Sequence, residues 1–330
     1  KYYRLGTAPD QWCINDRETC TIVFLTENEA KENRQELREL KEELDEENLQ
    51  ITENSTNDEI KNIISKQDNS AIFKEIEKSY NAIEQEYNAI RTEVKELQNY
   101  FYNTNQAKIL ADEVLKQEYI AKYKRAQEVN NLIAQYPQKK INATLQALRF
   151  DNGGNITIGG TITRGVSEVA HNLRSDLSGI INKDLIKNTS LEITYTNEKR
   201  KYFSNTTNKL YLNNKTDRTI AIHETMHWLE HNNKNVGIKS AKFLQYRTQN
   251  ESIQTLRVLT RNNKYKPNEV AKKDKFFNPY CGKIYAHNNS IYATEILSMG
   301  LERLTKDPLN FYKQDPEYVN FIIGVLRGLI

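Results

Sequence analysis

The apolar positions between residues 28 and 137 recur at helical spacing. A short stripe runs through Leu37, Leu40 and Leu44, and the polar run Asn54–Asn57 interrupts the pattern. A longer series then advances alternately by four and three residues, through Ile76, Tyr80, Ile83, Tyr87, Ile90, Val94, Leu97 and Phe101. This is the heptad spacing of a coiled-coil seam, which has to be buried against another helix. We therefore predict a helical, coiled-coil-like region over residues 28–137, whose partner helix lies in this chain or in a neighbouring one.

The two ends of this region are predicted from different signals. A third helix runs from about residue 105 to 135 and stops at Pro137, because proline lacks the N–H that a helix interior requires. Residues 1–27 have no clear period and form an irregular N-terminal arm. Within this arm the apolar run Ile22–Leu25 fits either a strand or a docking segment.

Beyond residue 137 the pattern predicts an α+β domain over residues 138–330 with a small mixed sheet. Ile156–Ile158 and Thr161–Thr163 flank two glycines and predict a β-hairpin. A helix follows over about residues 166–181, and then two strands, Leu191–Tyr195 and Lys209–Leu212. Near the C-terminus Asp315 as N-cap and Pro316 at the first position begin a helix. Its inward residues are Tyr318, Phe321, Ile322, Val325 and Leu326.

Composition limits the classes of protein that fit. An apolar fraction of 38% beside a charged fraction of 28% agrees with long exposed helices next to a small core. The net charge of +3 is too small to indicate nucleic-acid binding, and no apolar run is long enough to cross a membrane. No signal peptide is visible, although the chain begins at Lys1, so a removed targeting segment stays open. Cys13, Cys20 and Cys281 are predicted to be reduced, and their role is open.

The chemistry of the chain is concentrated in residues 221–231, which contain three of its five histidines. His223 and His227 are four residues apart, so on a helix both rings face one metal ion. Glu224 stands beside them, where a carboxylate can take a proton from metal-bound water. The alternative is a solvated amphipathic helix that carries two histidines by chance. The pattern favours a zinc site, for which catalysis requires a third protein ligand.

Three acids and one further histidine compete for the place of the third ligand. His231 is two turns from His223, about 12 Å along a straight helix, and no glycine bends the chain between them. Glu295 is the better candidate, because it stands among apolar residues where an acid is rarely left unpaired. Glu302 and Glu230 are its rivals.

Other polar residues are candidates for supporting roles. His231, Asp217, Glu230, Glu302 and Ser298 could orient the ligands. Stabilisation of developing charge could come from Tyr285 or Tyr292, and also from Tyr280 or His287.

Three stretches, 276–285, 294–302 and 315–318, resemble the zincin-like domain of tailed-phage minor head (head morphogenesis) proteins and related prophage proteins. The likeness covers about the last third of the chain, and the run Thr294–Glu302 is its most specific part. The resemblance implies that His223, His227 and Glu295 hold Zn²⁺ and that Glu224 is the general base. It also implies a protein or peptide substrate and virion partners such as a portal, a capsid or further copies of the chain.

These observations together lead to one expected function and two alternatives. We expect a zinc-dependent peptidase associated with a phage or prophage virion, located in the virion or the host cytoplasm. The first alternative is a structural virion assembly protein with a non-catalytic or relic metal site, favoured by the heptads. The second is a bacterial effector or toxin metallopeptidase, which would be secreted.

Overall fold

The computed structural model describes residues 2–4, 12–16, 21–25, 50–287 and 290–330. The chain forms two units, residues 1–50 and 51–330, and each is considered by itself. In the first unit β1 (Tyr2–Arg4), β2 (Trp12–Asp16) and β3 (Thr21–Leu25) form an antiparallel sheet in the order β1-β2-β3. The expected irregular arm therefore contains strands, which suits the β-branched and aromatic residues of β3. The stripe Leu37–Leu44 and Cys20 lie outside the described residues.

The second unit begins with four helices. They are α1 (Asn57–Ser65), α2 (Ser70–Asn103), α3 (Gln106–Ala111) and α4 (Glu113–Ala147). Residues 50–56, before α1, form no helix, and Asn57, the last residue of the expected break, is the first residue of α1. Thr56 and Glu59 form a capping box there. The seam of α2 faces α4 of the same chain: Tyr87 stacks on Tyr136 with ring centroids 4.0 Å apart. Tyr80 is also joined to Thr144 by a hydrogen bond of 2.9 Å.

The predicted stop at Pro137 is wrong, because Pro137 lies inside α4 and the helix continues to Ala147. A proline inside a helix removes one hydrogen bond and crowds the preceding turn. The turns that follow it bury Ile141, Leu145 and Ala147. The helix continues because this burial offsets the local cost of the proline.

A mixed sheet of four strands follows, in the order β4-β5-β7-β6. The strands are β4 (Ile158–Gly159), β5 (Leu191–Tyr195), β6 (Tyr202–Ser204) and β7 (Lys209–Leu212). The predictions for β5 and β7 are confirmed, but the predicted hairpin is wrong. β4 pairs in parallel with β5, and Thr161–Thr163 forms no strand. Gly160, with φ of +75°, turns the chain before a local partner can form.

The helix predicted over about residues 166–181 is shorter than expected. It is α5, Ser167–Leu177. Five larger helices and one short helix complete the unit, namely α6 (Arg218–Asn232), α7 (Lys234–Arg247), α8 (Leu256–Thr260), α9 (Ile296–Lys306), α10 (Pro308–Gln314) and α11 (Pro316–Arg327). Two short hairpins lie between them, β8 (Ile253–Thr255) with β9 (Val270–Lys272), and β10 (Tyr285–His287) with β11 (Ser290–Ala293).

The core of this unit packs around α6, which contacts α9, α7, β6 and β7. The C-terminal helix α11 is confirmed in detail. Asp315 accepts a hydrogen bond from the Tyr318 N–H, and the five predicted inward residues are buried. Phe321 of α11 stacks on Phe243 of α7 with centroids 4.1 Å apart. Within the described part of the chain, no helix combines the length and apolar character needed to span a bilayer.

Candidate metal site

Helix α6 presents its histidines to one side because its other side is apolar. Asp217 caps the helix by accepting a hydrogen bond of 2.8 Å from the Thr219 N–H. Ile222, Met226 and Leu229 are buried against the core, as their spacing predicts. His223 and His227 then lie one turn apart on the opposite face, with their rings edge to face and 5.0 Å between centroids.

Glu295 reaches the same place from a distant part of the chain. It occupies the N-cap position of α9, one residue before the helix begins. Its side chain is 2% exposed. Tyr285 donates a hydrogen bond of 2.7 Å to Oε1 of Glu295, and Ser298 donates one of 3.0 Å to Oε2. These two bonds hold the carboxylate toward α6.

Three donor atoms form a nearly equilateral triangle. His223 Nε2 and His227 Nε2 are 3.3 Å apart, and they lie 3.4 Å and 3.2 Å from Oε2 of Glu295. Zinc bound to nitrogen or oxygen at about 2.0–2.2 Å in tetrahedral geometry separates neighbouring donors by about 3.3–3.6 Å. The two sets of distances agree, so these three side chains fit a zinc ion. Among the described residues this is the one group of three or more such side chains so arranged.

The rival acid Glu302 has a different place. It lies on the Nδ1 side of the His223 ring, away from the triangle, and His223 Nδ1–H donates a hydrogen bond of 2.9 Å to Glu302 Oε2. Lys306 in turn donates a bond of 2.6 Å to the other oxygen of Glu302. A carboxylate on Nδ1 selects the tautomer whose Nε2 lone pair faces the triangle. Glu302 therefore orients a candidate ligand.

Glu230, the other rival, is buried away from the triangle. Its carboxylate accepts hydrogen bonds from the hydroxyl and the N–H of Thr294, at 2.8 Å and 3.3 Å. Burial raises the pKa of Glu230 above its usual value. Because Thr294 directly precedes Glu295, this contact ties the third candidate ligand to α6.

The charges of the cluster favour a cation at the triangle. Burial alone would lower the pKa of His223, but hydrogen bonds with Glu295 and Glu302 outweigh it and raise this pKa to about 10. The pKa of His227 is raised as well, since the charge of Glu295 outweighs burial. Burial acts to raise the pKa of Glu295, yet the two histidines hold it well below its usual value. The carboxylates thus stabilise positive charge here.

Glu224 and His231 both contact the edge strand β6. The Phe203 N–H donates a hydrogen bond of 2.9 Å to Oε2 of Glu224. His231 is exposed and its ring packs on Phe203, with centroids 5.5 Å apart. His231 is therefore outside the donor triangle, whereas Glu224 borders it from the next position along α6.

The candidate tyrosines differ in their contacts. Burial, followed by the charge of Glu295, raises the pKa of Tyr285, so its hydroxyl stays a donor. Behind it the Tyr280 hydroxyl lies 3.5 Å from that of Tyr285 and receives a bond of 3.2 Å from Lys283. Tyr292 is 62% exposed at the mouth of the cleft. The side chain of His287 lies outside the described part of the chain.

The triangle opens into a cleft of about 390 Å³. Aromatic side chains form much of its wall, namely Tyr202, Phe203, Tyr280, Tyr285 and Tyr292. Arg200 also lines it. The sequence did not indicate Arg200, Tyr202 or Phe203. Strand β6 has three residues, which are too few to show an alternation of apolar and polar positions. The basic run Lys199–Lys201 was the one available signal.

Comparison of the chain with protein-family models, with curated proteins and with solved structures gives no match in any of the three.

Proposed function

We propose that this chain is a zinc-dependent peptidase in which His223, His227 and Glu295 hold the metal. The spacing of their three donor atoms carries the proposal, because it matches the edges of a tetrahedral zinc site. Within the described residues no fourth histidine, cysteine or acid joins the group. Three protein ligands with one open position are typical of catalytic zinc, whereas structural zinc generally has four.

The proposed general base is Glu224. Bound zinc would supply a Lewis acid that polarises a carbonyl and makes water acidic near neutral pH. Glu224 lines the same cleft and would take the proton from the attacking water, then pass it to the leaving amine. The N–H of Phe203 holds this carboxylate in one orientation.

The edge strand β6 supports a peptide as substrate. β6 pairs with β7 on one side, and the N–H of Phe203 points to Glu224 on the other. The outer edge of β6 therefore borders the base. Because the Phe203 N–H is bonded to Glu224, an extended peptide would pair with this edge through the remaining main-chain groups, which would bring its carbonyl groups past the metal ligands.

A peptide library incubated with the zinc-loaded protein tests this function. Mass spectrometry would identify new chain ends produced by the wild type. Glu224→Gln should abolish cleavage and retain zinc, because it removes the base and keeps all three ligands. His231→Ala serves as the matched control on the same helix, and it should cleave like the wild type. Cleavage that is unchanged in Glu224→Gln would contradict the proposed mechanism.

We also propose that the protein acts within a virion, as the resemblance to phage minor head proteins implies. Exposed apolar side chains at one end of the α2–α4 hairpin support an assembly role. Tyr102, Leu110 and Val114 are 90%, 83% and 76% exposed. The test is whether the protein purifies with phage particles, and whether serine at these three positions releases it. Absence from particles would instead favour an effector peptidase.

A further inference from the structure

We propose that Arg200 recognises a carboxylate of the substrate, so that the cleft selects peptides that present a carboxylate near the bond to be cut. This inference rests on the proposed peptidase function, since it names the substrate class of the same cleft. The carboxylate belongs either to an acidic side chain or to the C-terminus of the peptide. Both sources present the same two oxygens to a guanidinium group.

Arg200 lies beside the candidate catalytic residues. It lines the cleft together with His223, Glu224 and Glu295. It also precedes Phe203 by three residues, and the Phe203 N–H is bonded to the base. Three residues of extended chain span at most about 10 Å. A peptide paired along β6 would therefore bring a residue close to the bond being cut within reach of Arg200.

The charged residues that line the cleft leave Arg200 available for a ligand. Arg200 is the one Lys or Arg among the residues that line it, and its two acids, Glu224 and Glu295, already have partners. Within the described part of the chain Arg200 forms no ion pair. Lys199 and Lys201 flank it, and one acid, Glu198, offsets part of their charge. This end of the cleft consequently attracts negative charge.

An arginine side chain is well suited to bind a carboxylate. A guanidinium group is planar and presents two parallel N–H donors to a carboxylate, which a single amine cannot do. The Arg200 side chain is exposed at the cleft, so forming such a pair does not require a buried ion pair to break. A neutral glutamine in the substrate would lose the charge and one acceptor oxygen. Arg200 thus distinguishes glutamate from glutamine.

Binding can be measured without turnover by using the Glu224→Gln protein loaded with zinc. Four pools of labelled decapeptides carry random residues around one central Glu or Gln, each with a free or an amidated C-terminus. Fluorescence anisotropy gives their affinities. We expect the pools that keep the preferred carboxylate to bind about two to five times more tightly than the others, the range of an exposed charged pair.

Changes at Arg200 supply the decisive readout. Arg200→Gln should remove the preference, and Arg200→Glu should reverse it toward the pools that lack the preferred carboxylate. Arg164→Gln, which removes an exposed arginine outside the cleft lining, is the matched control and should keep it. A preference that depends on Glu alone assigns the carboxylate to a side chain, and one that depends on amidation assigns it to the C-terminus.

Equal binding of all four pools, or a preference that survives in Arg200→Gln, overturns the inference. The proposed peptidase function can still stand in that case, because the wild type would cleave peptides without regard to their charge. Absence of both zinc and cleavage would contradict the peptidase function instead. The two failures are therefore distinguishable by separate measurements.

Discussion

The backbone N–H of Phe203 donates a hydrogen bond of 2.9 Å to the carboxylate of Glu224. This bond joins the edge strand β6 to the helix that carries both candidate histidine ligands. It leaves the carboxylate of Glu224, the proposed base, at the outer edge of β6, where we propose that a peptide binds. The donor is a main-chain group, so the bond depends on the path of β6 and is retained by most substitutions at residue 203.

Phe203→Pro removes that donor and should lower kcat about tenfold, part of the ~10²–10⁴-fold that a general base contributes. An edge strand tolerates proline where its N–H points away from the sheet, so β6 should persist. Phe203→Ala keeps the N–H and is the matched control. Steady-state assays on a cleaved peptide check this, together with zinc content, which should stay constant. Equal rates for the two variants would show that the bond does not orient Glu224.

Glu302→Ala should weaken zinc binding about 10–100-fold, because Glu302 accepts the hydrogen bond that orients His223. Glu302→Gln keeps an acceptor oxygen and should lose less affinity. Competition with a chromogenic chelator measures both affinities. Wild-type affinity in Glu302→Ala would mean that packing alone holds the ring of His223.

Asp217→Ala should lower the free energy of unfolding by about 1 kcal/mol, the usual cost of losing a helix N-cap. Asp217→Asn should lose much less, since asparagine also caps helices. Urea denaturation at neutral pH measures the difference. If Asp217→Ala is as stable as the wild type, the cap contributes nothing to α6.

The same cap predicts a dependence on pH. Burial acts to raise the pKa of Asp217, but hydrogen bonds from the Thr219 hydroxyl and N–H outweigh it and lower this pKa below its usual value. The native state therefore holds the proton less tightly than the unfolded state. The contribution of the ionised carboxylate is full above about pH 4 and is lost as the pH falls through the native pKa. On acidification below about pH 4, the wild type should therefore lose stability relative to Asp217→Asn, whose side chain does not titrate.

Pro137→Ala should raise the free energy of unfolding by about 1–3 kcal/mol, because it restores a hydrogen bond inside α4 and relieves crowding. Pro137 is exposed, so the change leaves no cavity. Chemical denaturation of both proteins measures the gain. A less stable alanine variant would mean that the proline bends α4 into a position the fold requires.

Local signals in the sequence were enough for several elements. Strands β5 and β7 are apolar runs bounded by turn residues, and α11 has both its N-cap and its buried positions in sequence order. The common face of His223 and His227 follows from helical geometry alone. For each of these features the residues that decide the structure lie within a few positions of one another.

Features that depend on distant partners could not be predicted. β4 pairs with β5 across more than thirty residues, where a local hairpin was expected. Whether Pro137 ends α4 depends on what its last turns bury. Likewise, the contact of Glu302 with His223 joins residues 79 positions apart. The Phe203–Glu224 bond depends on strand β6, whose three residues are too few to show the alternation of apolar and polar positions that predicts a strand.

Elemental analysis of the purified protein tests the central claim most directly. Wild type, His223→Ala, Glu295→Gln and His231→Ala would be prepared together under gentle conditions, with folding checked by circular dichroism. If His223, His227 and Glu295 hold zinc, we expect one zinc per chain in the wild type and in His231→Ala. We expect no zinc in His223→Ala and in Glu295→Gln. A folded wild type without zinc, or full zinc content in both His223→Ala and Glu295→Gln, would contradict the central claim.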